Sequence, residues 1–130
     1  MSLLKDTPQL GHISTFAGHP TIAAAANATV TEIIDQDLLS ESLRKEKIIR
    51  KHLQHPNIQK IRGKGLMLAT IVETPELAAK IIHKCLEKGL ILFFLLFEGR
   101  AMRITPPLTI SDDELTEGCK IIIEAIEEVI

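Results

Sequence analysis

Tryptophan and tyrosine are both absent from the 130-residue sequence, and four phenylalanines are its only aromatic side chains. The formal net charge of −2 leaves no surplus of Lys and Arg to neutralise a phosphate backbone. With few ring faces for bases to stack on, nucleic acid is excluded as an expected partner. Cysteine is also scarce. Cys85 and Cys119 are the only two, both in segments of helical periodicity. No second pair builds a zinc site and no dense spacing suggests a disulfide scaffold, so reduced, cytosolic thiols are expected. The basic start, long apolar stretch and small-residue cleavage site of a signal peptide are missing. The longest apolar run, residues 89–97, is far too short to cross a bilayer. A cytoplasmic location is the resulting expectation.

Hydrophobic residues make up 45% of the chain and charged residues 25%, the balance of a soluble globular protein of one domain. Met1 to Gly18 has no sustained period and contains Pro8, Gly11 and Gly18, which predicts an irregular arm. Pro20 suits the first turn of a helix, and the Ala-rich stretch Thr21 to Ile34 is apolar on nearly all sides, so that helix needs neighbours all round. Asp37 to Leu53 places Leu38, Leu39, Leu43, Ile48, Ile49 and Leu53 near helical spacing among many charges, as in an amphipathic surface helix.

His55-Pro56-Asn57 breaks that helix. Ile58 to Arg62 and Leu66 to Val72 read as strands joined by a Gly63-Lys64-Gly65 turn. Thr74-Pro75-Glu76 starts a helix that Gly89 ends. Leu90 to Phe97 reads as an apolar strand, Glu98-Gly99-Arg100 as a turn, and Ala101 to Ile104 as a short strand. After Pro106-Pro107, Ser111-Asp112-Asp113-Glu114 has the form of a capping box opening a helix to the terminus. The fold class expected is α+β, a small antiparallel sheet covered by helices.

Residue types alone give no strong active site. His52 and His55 stand three apart, yet no carboxylate or cysteine nearby completes a metal shell, and no metal is expected. Gly63-Lys64-Gly65 lacks the remaining glycines and the hydroxyl residue of a phosphate-binding P-loop, so it reads as a turn. Gly11-His12-Ile13-Ser14-Thr15-Phe16-Ala17-Gly18-His19-Pro20 carries more, because adjacent hydroxyls and small residues precede a helix. Amides and hydroxyls in that setting suit an anion. Equally, Ser14 or Thr15 could satisfy only local backbone groups.

STFAGHP before an Ala-rich helix resembles the STF-G-G-N-P or TY-S-G-H-P segment of class III aminotransferases. IRGKGLMLATIVE is similar to that family's VRGKGLM strand pair, and MRITPPLTISDDEL to its LR-PPL-I-EEE segment. The three occur in the family's order, so the resemblance covers the chain from His12 onward. It implies the C-terminal domain of a fold-type I transferase, α/β in the full-length parent, that depends on pyridoxal 5'-phosphate. Residues 1–19 would be an arm and active-site loop from the large domain, and residues 20–130 the small C-terminal domain. It further implies a homodimer with active sites at the subunit interface. By the same resemblance Thr15, with Ser14 beside it, binds the cofactor phosphate of the neighbouring subunit. Arg103 lies at the substrate end, where it binds a carboxylate or pairs with a glutamate. The reaction implied moves an amino group from an amino acid or ω-amine to a 2-oxo acid. Acetylornithine, ornithine, 4-aminobutyrate, lysine and other ω-amines all remain open.

Ala17 and His19 depart from the commoner residues without overturning the match. The family's cofactor-binding lysine lies a few tens of residues before STF in a Gly-rich setting, whereas only 14 residues precede Thr15 and Lys5 has no such setting. The chain taken alone is therefore expected to be catalytically incomplete, with no catalytic residue of its own, and to self-associate through its apolar helix. A rival expectation is a small α+β binding or regulatory module of merely similar architecture.

Overall fold

In the computed structural model, residues 14–130 are described. Lys5 and most of the expected arm lie outside them. The chain divides into two compact units, residues 1–36 and 37–130.

The first unit contains a turn at residues 15–18 and helix α1, Pro20–Asp35. Pro20 sits where a missing N–H costs nothing, and Ala is the best helix former. None of α1's residues is buried. Ile22, Val30 and Ile34 are all more than half exposed.

The second unit holds the sheet. Its elements are α2 (Leu38–His52), β1 (Lys60–Lys64), β2 (Met67–Ile71), α3 (Pro75–Glu87), β3 (Phe93–Leu95), β4 (Glu98–Ile104) and α4 (Asp112–Val129). The four strands pair antiparallel in the order β1-β2-β4-β3, with α4 packed on α2 and α3, and α3 on β3 and β4. Alternation decides which side chains go inward. Leu68, Thr70, Met102 and Ile104 face the helices and are buried, together with Ile49, Leu53, Ile81, Cys85, Leu115, Cys119, Ile122 and Ile126. Met67 and Arg103 project from the opposite face into solvent.

Local signals place the helix starts. The Thr74 hydroxyl accepts from the Leu77 amide at 3.1 Å. At α4 the capping box is complete: the Ser111 hydroxyl accepts from the Glu114 amide at 3.2 Å, and Glu114 Oε2 accepts from the Ser111 amide at 3.1 Å. Arg44 ties α2 to α4 by donating to both Asp112 oxygens at 2.7 Å while it also pairs with Glu41.

The hairpin turns differ from their sequence-based positions. Gly63 and Lys64 belong to β1, and the first turn is Gly65-Leu66. Glu46 of α2 accepts the Gly65 amide at 2.6 Å, and Arg50 donates to the Ile61 and Gly63 carbonyls, so α2 fixes where the strand ends. Gly63 is required within the strand: its φ is +113°, and a Cβ there would lie 2.1 Å from the Met67 carbonyl oxygen. Likewise β4 begins at Glu98, because Glu98 and Arg100 pair along the strand at 2.9 Å. The second turn is therefore Leu96-Phe97, and only Phe93–Leu95 of the apolar run is strand.

Candidate functional site

The residues singled out by sequence fall in two places. Ser14 and Thr15 are together in the first unit, and Arg103 is in the second. At the first place, the Ala17 amide donates to the Ser14 carbonyl and the His19 amide to the Phe16 carbonyl, closing a tight turn directly before α1. Gly18 takes φ +73°, a conformation that returns the chain into the helix without a Cβ penalty. The N-cap His19 makes no side-chain capping bond. The Thr21 and Ile22 amides lie in the first turn, where a helix supplies no acceptor. Neither the Ser14 nor the Thr15 hydroxyl is engaged by a described residue, and both residues are exposed. Two hydroxyls and a helix start with its positive dipole end thus share one uncapped corner, suited to an anion. The two bonds that close the turn among the described residues are backbone to backbone.

At the second place, Arg103 stands on β4 opposite Phe93 of β3, its guanidinium 5.1 Å from the ring centroid. The ion pairs of the described residues engage Arg44, Arg50, Lys84, Lys88, Arg100 and Lys120, and not Arg103. No described residue takes an ion pair from its five donors. Beside it lies a cavity of about 330 Å³ between β3, the Thr105-Pro106-Pro107 segment and α4. Phe93 was not legible as a partner of Arg103, because the pairing depends on a strand register that no local motif announces.

His52 ends α2 and His55 lies in the following loop, so they share no helix face. The His55 Nδ1 accepts from the Asn57 amide at 3.1 Å and serves the chain reversal. Cys85 and Cys119 are buried free thiols, pushed up to about 11 by burial. Among the described residues, no helix is long and apolar enough to cross a membrane.

The aminotransferase class-III family matches residues 2–126. A leucine/methionine racemase from Thermococcus litoralis is 35% identical over 98% of this chain and 31% of its own length. An acetylornithine aminotransferase from Caldanaerobacter subterraneus is 32% identical over 91% of this chain and 30% of its own. Among solved structures, an ornithine aminotransferase from Toxoplasma gondii with pyridoxal phosphate in partial occupancy superposes with a TM-score of 0.77. It is 31% identical over 89% of this chain and 29% of its own. A Bacillus anthracis aminotransferase reaches 0.81 at 26% identity, over 91% of this chain and 30% of its own. The chain thus spans about 30% of the length of the relatives it matches. With three motifs in order, the expected antiparallel α+β unit and a family match along nearly its whole length, this chain belongs to the class III aminotransferases.

Proposed function

We propose that this chain is the C-terminal part of a pyridoxal-phosphate-dependent enzyme that transfers an amino group from an amino acid or ω-amine to a 2-oxo acid. Residues 1–19 would belong to the large domain's active-site loop and residues 20–130 to the small domain. The observation that carries this reading is the uncapped turn before α1, where no described residue engages the Ser14 and Thr15 hydroxyls. That corner fits the cofactor's phosphate: it offers hydroxyl and amide donors with no acidic residue from 14 to 31. Beyond its chain neighbours, no described residue comes within 4 Å of the position a Cβ would take at Gly18.

When bound, the cofactor supplies the electron sink that stabilises charge developing on the substrate carbon. This chain's part is to hold and to orient. The Thr15 hydroxyl, with Ser14 beside it, donates to the phosphate of the cofactor in a neighbouring subunit, which makes the active enzyme a homodimer. Arg103, whose guanidinium carbon lies 5.1 Å from the Phe93 ring centroid, donates two hydrogen bonds to a substrate carboxylate. The lysine that binds the cofactor and moves the proton belongs to the large domain, as does the control of donor choice.

The racemase relative supports a second reading, in which the proton is returned to the opposite face of the same carbon and no amino group leaves. Both readings use Thr15 and Arg103 alike. The test is made on the polypeptide extended upstream by its own coding sequence. Given an L-amino acid and a 2-oxo acid, a transaminase yields a new amino acid and consumes the 2-oxo acid. A racemase yields the D-enantiomer and leaves the 2-oxo acid untouched. Neither product would refute both readings.

A further inference from the structure

β1 is one end of the sheet, and the outer edge of such a strand ordinarily presents unpaired backbone groups. The Val72 amide, just past β2, bonds the Arg100 carbonyl, so Leu68, Thr70 and Val72 turn their backbone groups to β4 while Met67, Ala69 and Ile71 turn theirs to β1. By register, Lys64, Arg62 and Lys60 use theirs on β2, which leaves Ile61 and Gly63 facing the free edge. Arg50 of α2 covers both. Its Nη1 donates to the Ile61 carbonyl at 2.9 Å and its Nη2 to the Gly63 carbonyl at 3.1 Å. Its Nε donates to Glu46 Oε1 at 2.8 Å, and the other Glu46 oxygen accepts the Gly65 amide at 2.6 Å. One guanidinium thus uses all three nitrogens, two on the sheet edge and one on its anchor.

We propose that Arg50 is a latch that keeps β1 the last strand of the sheet: it occupies the two carbonyls to which β1 of a second copy of this chain would otherwise bond. A strand added at this edge must donate to the Ile61 and Gly63 carbonyls, so it pairs only after Arg50 has withdrawn. Glu46 secures the latch, since it anchors the guanidinium and also fixes the Gly65 turn that ends the strand. Charge acts in the same direction. An antiparallel second β1 centred on Arg62 sets Ile61 against Gly63, Arg62 against Arg62 and Lys60 against Lys64, and like charges directly opposite each other destabilise a ladder. Lys60, Arg62 and Lys64 are all exposed, so salt screens them, whereas the part-buried bonds of Arg50 to Ile61 and Glu46 are screened much less.

Disulfide cross-linking in an oxidising glutathione buffer tests the latch, at high salt so that the facing lysines are screened. Arg62→Cys is made in the 130-residue protein and in its Arg50→Met variant. In the paired arrangement the introduced thiols lie opposite one another in a non-hydrogen-bonded pair, roughly 4.5 Å apart at Cα and within disulfide reach. Cys85 and Cys119 are buried free thiols common to both proteins. Glu127→Cys, at an exposed position of α4, is made in the same two backgrounds as a control. Removing Arg50 is expected to speed the cross-link at position 62 by at least ~10-fold, the factor that one charge-assisted hydrogen bond supplies, and to leave position 127 unchanged. Association through α1 is common to all four proteins and cancels in the comparison.

Equal rates at position 62 with and without Arg50 would overturn the proposal. An increase of the same size at position 127 would also overturn it, because the gain would then be general association and not pairing at this edge. Should Arg50→Met fail to fold, by its far-ultraviolet circular dichroism, Arg50→Lys takes its place. A compact ammonium lacks the fork that spans both carbonyls, so the cross-link at position 62 should again form faster than in the parent. A parental rate in that variant equally overturns the latch.

Discussion

Arg103 and Phe93 are register partners across the β4–β3 ladder, and the guanidinium carbon lies 5.1 Å from the centre of the ring. The ring thereby restricts a long cationic side chain that pairs with no carboxylate of the described residues. At an exposed site such a contact contributes roughly 0.5 to 1 kcal/mol. A double-mutant cycle with Phe93→Leu and Arg103→Met, read by urea denaturation, should give a coupling of that size. Zero coupling would show that the two side chains are merely adjacent.

Thr70 is fully buried in β2, and its hydroxyl has no hydrogen-bond partner among the described residues. Valine has nearly the same shape and a higher strand preference. Thr70→Val is expected to raise stability by about 1 kcal/mol, since an unsatisfied buried hydroxyl costs at least that much. A loss of stability on this replacement would mean that the hydroxyl is bonded.

Arg44 bridges Glu41 on α2 to Asp112 on α4. Its hydrogen bonds hold both carboxyls below their ordinary values. A carboxyl lowered in the folded state stabilises the fold above its unfolded value and loses that contribution as pH falls through the folded one. Arg44→Met should therefore lower the thermal midpoint at neutral pH. The difference from the parent should shrink as pH falls below about 4, where both carboxyls become protonated. A difference independent of pH would assign the effect to packing of the arginine stem.

The helix-start signals were legible because they are local. Thr74, Ser111 and Glu114 bond to amides three residues away, so sequence spacing alone specifies them. The strand limits were less so. In residues 90–97 every side chain is apolar, so no alternation marks where Phe93–Leu95 begins or ends. The first hairpin turn is set by Glu46 and Arg50, which lie more than ten residues upstream of the groups they bind. At the candidate site, Ser14 and Thr15 were visible as hydroxyls before a helix and Arg103 by resemblance, whereas the cavity was not. Its walls come from β3, the Pro-Pro segment and α4, brought together only by the fold.

α1 exposes Ile22, Val30 and Ile34 and buries none of its residues. Contiguous apolar surface of more than a few hundred Å² is unusual on a soluble monomer. The 130-residue polypeptide is expected to self-associate, with α1 in the contact. Light scattering across a dilution series should show a mass that rises with concentration. A monomeric mass at high concentration, with α1 protected from hydrogen exchange, would instead support a self-contained binding module.

A pyridoxal-phosphate enzyme completed by these residues, as proposed, has its covalent anchor upstream of Thr15. Borohydride reduction in the presence of pyridoxal phosphate, followed by peptide mass spectrometry, tests it on two polypeptides: the 130 residues alone and the chain extended upstream by its own coding sequence. The extended polypeptide is expected to carry one stoichiometric adduct, on a lysine before Thr15, and the 130-residue chain only weak, scattered labelling of surface lysines. A single stoichiometric adduct on a lysine within the 130 residues, accompanied by amino-group transfer, would contradict it.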